Sequence, residues 1–392
     1  GNALSFGAEA TFTTNNSSYI AATFDSNTER VVVAYRDSGN SDYGTAVVGT
    51  VSGTGITFGT PVVFESASTK YVAATFDSNS NKVVIAYQDD ANSDYGTAIV
   101  GTVTGGGTNS ISYGTPEVFE SAETIWISAT FDSNSNKVVI SYRDVANSAY
   151  GTAIVGTVSG TAIAFDGSPD VFESATTVYI SSTFDSNSNK VVISYEDYSN
   201  SEYGTAVVGT VSGDEISFGT AVVFESAEVS YNSVSFDSNV NKVLISYKDQ
   251  GNSNYGTNIV GTVSGTSISF ASPAVFSTAG SANNFMSTAF DSNENAVVTA
   301  YSPDAGPWAV ADSIIDTNMT ATNYLGVANE AISASATGGI MLRGGVSSKL
   351  TSLTIGSTYY VQADGTFATS AAVPSVELGL AISATTVLMK GI

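Results

Sequence analysis

The chain has no cysteine and no histidine among its 392 residues. Without cysteine there are no disulfides and no thiolate metal sites. Without histidine the commonest general base, the usual zinc ligand and any Ser–His or Cys–His nucleophile are gone. Basic residues are scarce too: 12 Lys and Arg stand against 36 Asp and Glu, a net charge of −24. From residue 317 onward Glu330, Asp364 and Glu377 balance Arg343, Lys349 and Lys390, so the whole excess lies before that point. A body so charged repels nucleic acid and anionic lipid, and suits salty water or divalent cations at its surface. No apolar run approaches the ~18 residues of a membrane span, so no membrane insertion is expected. No signal peptide is visible and the chain starts at Gly1 rather than Met, which reads as a mature product or part of a longer polypeptide.

What is present is repetition. The tetrad Phe-Asp-Ser-Asn starts at Phe24, Phe76, Phe131, Phe184, Phe236 and Phe290, at steps of 52, 55, 53, 52 and 54 residues. A fixed period in this range marks a solenoid, a propeller or a repeat array. In the second copy, residues 71–77 (YVAATFD) and 82–88 (KVVIAYQ) read as two strands around the turn Ser78-Asn79-Ser80-Asn81. An Asp/Asn/Gly-rich loop at 89–96 leads to a third strand at 97–104, and a fourth lies at 111–120, interrupted by Gly114 and Pro116. Four short strands with turn signals every 8–12 residues define an all-β unit.

The second strand, Val83-Val84-Ile85-Ala86-Tyr87, is apolar without alternation, which implies burial on both faces, as in a propeller blade between two neighbours. Pro61, Pro116, Pro169 and Pro273 assign the fourth strand to the outer edge. Small residues such as Ala73-Ala74 and Ser181-Ser182 assign the first strand to the crowded axis. Residues 2–12 align with the fourth strand at 54–64, and no fourth strand follows the sixth tetrad. The expectation is an all-β, six-bladed β-propeller over residues 1–316, closed by an N-terminal strand set beside the strands of Val297 and Val310. A small C-terminal β domain occupies 317–392, with strands around Ile340, Tyr359 and Val387 and a hairpin at Asp364-Gly365.

Three columns of residues are candidates for function. Asp25 and its equivalents Asp77, Asp132, Asp185, Asp237 and Asp291 read as Asx-type turns that cap backbone N–H groups, because the EF-hand spacing for calcium is missing. The loop between the second and third strands offers Asp37, Asp42 and Tyr43 in the first copy, then Asp89, Asp94 and Tyr95. It continues with Asp144 and Tyr150, with Asp197, Glu202 and Tyr203, and with Asp249 and Tyr255. In the sixth copy it becomes Ser302-Pro303-Asp304-Ala305-Gly306-Pro307. With Glu65-Ser66-Ala67 and its equivalents as neighbouring loops, this rim suits sugar hydroxyls or a cation. The competing reading is a solvated loop with Tyr packed back on the blade and Gly in a left-handed turn. No cofactor is implied, and Ca2+ is the ion such acidic loops would take. The third column, Tyr19, Tyr71, Trp126, Tyr179, Tyr231 and Phe285, reads as core between blades rather than as a stacking surface. Nothing in the spacing selects one carboxylate pair for catalysis, and the body has only Arg30, Arg36 and Arg143 where sialidase-like propellers use an arginine cluster.

The C-terminal run Asn323-Tyr-Leu-Gly-Val-Ala, Gly344-Gly345-Val346, Leu353-Thr-Ile-Gly-Ser-Thr-Tyr359-Tyr360-Val361-Gln362-Ala-Asp364-Gly365 and Val387-Leu-Met-Lys390-Gly391 resembles a module of marine bacteriophage tail-fibre and virion structural proteins. There it follows propeller repeats of the Phe-Asp-Ser-Asn type. The resemblance implies a non-enzymatic, extracellular or virion-surface protein whose partners are a cell-surface glycan or protein receptor, other fibre or virion subunits, and copies of itself. It transfers no catalytic residues, and similar modules also suit secreted adhesins. A purely structural repeat subunit and a polysaccharide-degrading propeller are the rival expectations.

Overall fold

The computed structural model describes residues 7–105, 109–278, 284–293, 295–302, 308–312, 326–328, 340–342, 346–347, 350–362, 367–370 and 375–389. The chain divides into two compact units, Gly1–Ile314 and Ile315–Ile392. Both are built from antiparallel strands, with two single-turn 3-10 segments as the helical content of the described residues.

In the first unit each repeat is a blade, and the first blade shows the pattern. The inner strand β1 (Ser17–Asp25) pairs with β2 (Arg30–Asp37), which pairs with β3 (Tyr43–Ser52). The outer edge of β3 carries two pieces: β4 (Gly55–Phe58) covers one end and the start of β5 (Val62–Asp77) covers the other. Pro61 falls in the gap between the two, where no ladder donor is needed. β5 is a 16-residue strand that serves two blades. Its first half closes the first blade, and from Thr69 it becomes the inner strand of the second, pairing with Lys82–Asp89. Glu65-Ser66-Ala67, expected as a loop, therefore lies within a continuous strand; the chain needs no turn because the blades fan around a shared line. The same crossing recurs at Glu117–Asp132, Asp170–Asp185 and Val222–Asp237. A sixth blade follows, with three strands among the described residues: Asn284–Asp291, Ala296–Ser302 and Trp308–Asp312. The fold is an all-β propeller.

The core lies between blades. Val83 to Tyr87 are all fully buried, as their unbroken apolar run implies. One cluster joins Val32, Ala34, Ala46 and Val48 of the first blade to Val72, Val83, Ile85 and Tyr87 of the second. Tyr35, Tyr87, Tyr142, Tyr195 and Tyr247 recur at one position with no exposed surface. Each such ring contributes roughly 2–3 kcal/mol of burial. Phe64 lies 5.2 Å from the Tyr87 ring, and its edge leaves no room on the opposing strand: a Cβ on Gly44 would sit 2.4 Å from it. That packing, repeated at Gly96, Gly151 and Gly204, explains the Tyr-Gly pair in the first five copies. The left-handed turn expected at this glycine belongs instead to the two residues before Tyr43, Ser41 and Asp42, with φ of 58° and 62°.

The expected N-terminal closing strand is not formed among the described residues. Residues 7–16 form no strand, and among the described residues the hydrogen-bonded sheet is not closed. Leu4 to Phe6 lie outside the described residues. Phe12 still packs on Tyr35 at 5.1 Å and Phe58 at 5.9 Å, the place Phe64 takes on the second blade. The difference is local: Asn15 donates to the Asp37 carboxylate, and the Asn15 N–H bonds to the Thr13 hydroxyl. Short polar side chains here offer the backbone an alternative to the ladder. On the same blade Ile20 and Phe24 are 54% exposed, whereas Val72, Ile127 and Ile180 at the position of Ile20 are buried.

At the end of the blades away from the Tyr43 loops, each Phe-Asp-Ser-Asn hairpin is an Asx turn, as expected. The Asp185 carboxylate accepts from the N–H groups of Asn187 (2.9 Å) and Ser188 (3.0 Å) and from the Ser188 hydroxyl (2.7 Å). Asp25, Asp77, Asp132 and Asp237 accept in the same way.

The second unit holds a five-stranded sheet: Val346–Ser347, Thr386–Met389, Ser375–Ser383, Thr358–Gln362 and Phe367–Ala368. Its core gathers Leu353, Tyr359, Leu378, Val387 and Met389. Gly326–Ala328 and Ile340–Leu342 pair separately. The hairpin expected at Asp364-Gly365 lies outside the described residues, although the strands flanking it pair.

Asp185→Ala should destabilise the first unit by about 1 kcal/mol, since the N–H groups of Asn187 and Ser188 lose their charged acceptor. Urea unfolding of the variant against wild type measures this, and an unchanged midpoint would contradict the structural role of the turn.

Candidate functional site

The rim expected from the sequence divides once its atoms are placed. Asp37, Asp89, Asp144, Asp197 and Asp249 are buried, and each turns back on its own loop. Asp89 accepts from the N–H groups of Ala91 and Asn92, Asp144 from Asn147, Asp197 from Asn200 and Asp249 from Asn252. These carboxylates hold the loop and do not face a ligand. Tyr43, Tyr95, Tyr150, Tyr203 and Tyr255 are half-buried at the start of the third strand. Asp42 pairs with Arg36 at 3.3 Å, and Asp94 shares Lys70 with Asp90, at 3.8 and 2.9 Å. Residues 303–307 of the sixth loop lie outside the described residues. Among the described residues no three acidic side chains are placed to share one metal ion.

What the structure brings together instead is the aromatic column. Register shifts between Lys70 and Ala73, and at the matching place in the other five inner strands, set two residues opposite one. The first of the two carries positive φ, a β-bulge geometry that usually takes glycine. Here it is Tyr19, Tyr71, Trp126, Tyr179, Tyr231 and Phe285, with φ between 49° and 55°. A bulky residue in this region costs of order 1–3 kcal/mol and persists only where the surroundings hold it. The bulge swings each ring onto the next. Centroids lie 5.2, 5.5, 4.5, 4.8 and 5.1 Å apart along the series, in tilted contact. The expectation of blade core holds in part: Tyr71 and Trp126 pack against the clusters between blades, but the middle rings are only half-buried, and Tyr19 and Phe285 at the ends are 37% and 73% exposed.

Beside this column stands one position that varies from blade to blade. It follows the buried Tyr of the second strand and reads Arg36, Gln88, Arg143, Glu196 and Lys248. Arg36 lies over the Tyr19 ring at 5.2 Å and Lys248 over Tyr231 at 5.8 Å. Burial pulls the Arg143 guanidinium below its ordinary value, while Tyr71 and Glu123 beside it oppose the shift. Glu196 is buried, and desolvation, then the carboxylates of Glu202 and Glu228, push it up to about 8.

No family model matches the sequence, and no curated protein sequence matches it. Solved structures do resemble it. A lectin from Burkholderia pseudomallei is 12% identical, with a TM-score of 0.53 over 74% of this chain and 81% of that one. The periplasmic gluconolactonase of Pseudomonas aeruginosa is 10% identical, with a TM-score of 0.51 over 72% of this chain and 78% of its own. The chain shares their fold. At such identities the likeness carries no residue across, so the site rests on its own geometry.

A second recurring group lies deeper. The Tyr87 hydroxyl donates to Glu65 at 3.1 Å, and Tyr142, Tyr195 and Tyr247 donate to Glu120, Glu173 and Glu225 at 3.0 Å. Burial raises all four Glu carboxyls, with the Tyr hydrogen bonds acting against it. Fourfold recurrence identifies these pairs as parts of the blade seam. The varied position next to the column was legible in the alignment of the copies, as the site where neighbours stay constant while charge changes sign. Its partnership with the aromatic column was not, since no local signal announces a left-handed Tyr.

Because folding raises Glu196 from the ordinary 4.5 to about 8, the folded state keeps a proton that the unfolded chain loses. Stability therefore falls as pH rises through that window. Glu196→Gln should remove this share: its melting-temperature advantage over wild type should grow from about pH 5 to about pH 8. A pH-independent difference would show that Glu196 ionises in its ordinary range.

Proposed function

We propose that this chain is a non-enzymatic glycan-binding protein whose contact surface is the aromatic column with its varied polar neighbours. One observation carries the reading. Six bulky aromatics hold a backbone conformation normally left to glycine, and the strain presents a run of half-open rings beside changing charged and amide groups. Sugar rings offer C–H faces to aromatics and hydroxyls to carboxylates, amides and guanidinium groups, so this surface matches their chemistry. The lectin among the structural neighbours supports the same reading. Recurrence down the column gives several weak contacts in one molecule, which multivalent display strengthens. The C-terminal resemblance supports an extracellular setting, a fibre or virion surface, where such a binder would meet a cell.

A second reading, a structural subunit of an appendage, draws on Ile20 and Phe24, apolar side chains left open on the first blade. Light scattering of the purified chain addresses it: a concentration-dependent assembly lost in Ile20→Ser would favour contact between copies.

A glycan array probed with wild type and Trp126→Ala tests the leading reading. Trp126 touches both Tyr71 and Tyr179, so its loss breaks the column at its centre. Binding should fall at least about tenfold, a loss of roughly 1.4 kcal/mol. No glycan bound by wild type, or equal binding by the variant, would refute the assignment.

A further inference from the structure

One seam breaks the repeat in two ways at once. At the position after the column aromatic the blades carry Ile20, Val72, Ile127, Ile180 and Met286, but the fifth has Asn232. Val72 and Ile127 join the core with the preceding blade, and the same register sets Asn232 against the fourth. Asn232 is only 7% exposed, and neither its amide nitrogen nor its oxygen has a hydrogen-bond partner. On the facing strand of the fourth blade, Glu196 is 5% exposed and accepts no hydrogen bond among the described residues. Glu202 and Glu228 lie at the open side and share a hydrogen bond with each other. Tyr179 and Tyr231 flank the seam with ring centroids 4.8 Å apart.

A buried amide without partners and a desolvated carboxyl on the facing strand both cost free energy, and the first is a cost that the apolar residue of the other blades avoids. Their coincidence on one seam points to an occupant. The other blades suggest its charge. In the first, the corresponding place holds the Arg36 guanidinium, against Tyr19 and paired with Asp42. In the second, Lys70 is set between Asp90 and Asp94. In the fourth, Glu196, Glu202 and Glu228 pair with no Lys or Arg among the described residues. A metal ion would need converging carboxylates, and among the described residues no such group exists. Carboxylates, an amide oxygen and two aromatic faces together fit an ammonium group.

We propose that the seam between the fourth and fifth blades binds a ligand bearing a protonated primary amine, an amino sugar unit of the glycan. The amine sits against Glu196 and the Asn232 oxygen, beside the touching Tyr179 and Tyr231 rings, with Glu202 and Glu228 at the mouth. This rests on the reading of the column as a glycan surface.

Calorimetric titration of the full chain with a glucosamine hexamer and with an N-acetylglucosamine hexamer tests it, using wild type, Glu196→Gln and Asn232→Ile. The free-amine hexamer should bind at least about tenfold more tightly than the acetylated one, and each substitution should cost about tenfold or more. Asn232→Ile keeps the charge and restores the residue type of the other blades, so it folds and still attracts a polycation non-specifically. Unchanged affinity in both variants therefore overturns the proposal. Equal binding of the two hexamers also overturns it, and leaves the glycan reading standing. Thermal stabilisation by Ca2+ alone, lost in Glu196→Gln, would replace it with a metal site. Binding of neither hexamer ends it as well, and the array result then decides the glycan reading separately.

Discussion

The structure depends on the burial of one blade face against the next. A β-sheet that is apolar on both sides cannot stand in water, and here each blade covers its neighbour with Tyr, Phe and aliphatic side chains. Tyr87 fills the seam and finds its hydrogen bond in Glu65 of the preceding blade, while Phe64 presses onto Gly44. Because seam partners come from different repeats, the constraint acts between copies. A repeat alone would leave Val84 and Ile85 of its central strand open on opposite faces.

The 16-residue crossing strand follows from that constraint. It ties the outer edge of one blade to the inner edge of the next without a loop, and so fixes their separation. The bulge in its second half absorbs the change of direction. Placing an aromatic there rather than glycine retains strain that a purely structural bulge would avoid, which is why the column is read as functional.

Against a background of near-identical copies, departures from the repeat carry the information. The recurring Asp turns and Tyr–Glu pairs serve the scaffold wherever they occur. The position running Arg36, Gln88, Arg143, Glu196 and Lys248 gives each seam its own polarity on the same ring-lined surface. Glu196 with Asn232 is the most extreme departure, an acid facing an amide where the inner strands of the other blades carry Ile, Val or Met.

The sequence by itself determined the repeat, its four-stranded unit, the doubly buried second strand and the role of Asp25 and its equivalents. All of these follow from period, apolar runs and short-range hydrogen bonds within a few residues. It also singled out the loop end of the blades, where the aromatic column stands, but chose Asp37 and its equivalents, whose carboxylates turn inward to their own loops. Only the tertiary structure decided that Glu65-Ser66-Ala67 is strand and that residues 7–16 pack through Phe12 without joining a ladder. It alone decided that Tyr71 and its equivalents line up in a shared column at the edge of the core. The physical reason is the same in each case: these outcomes depend on contacts between residues about fifty positions apart, where one blade's register sets the direction of a side chain in the next.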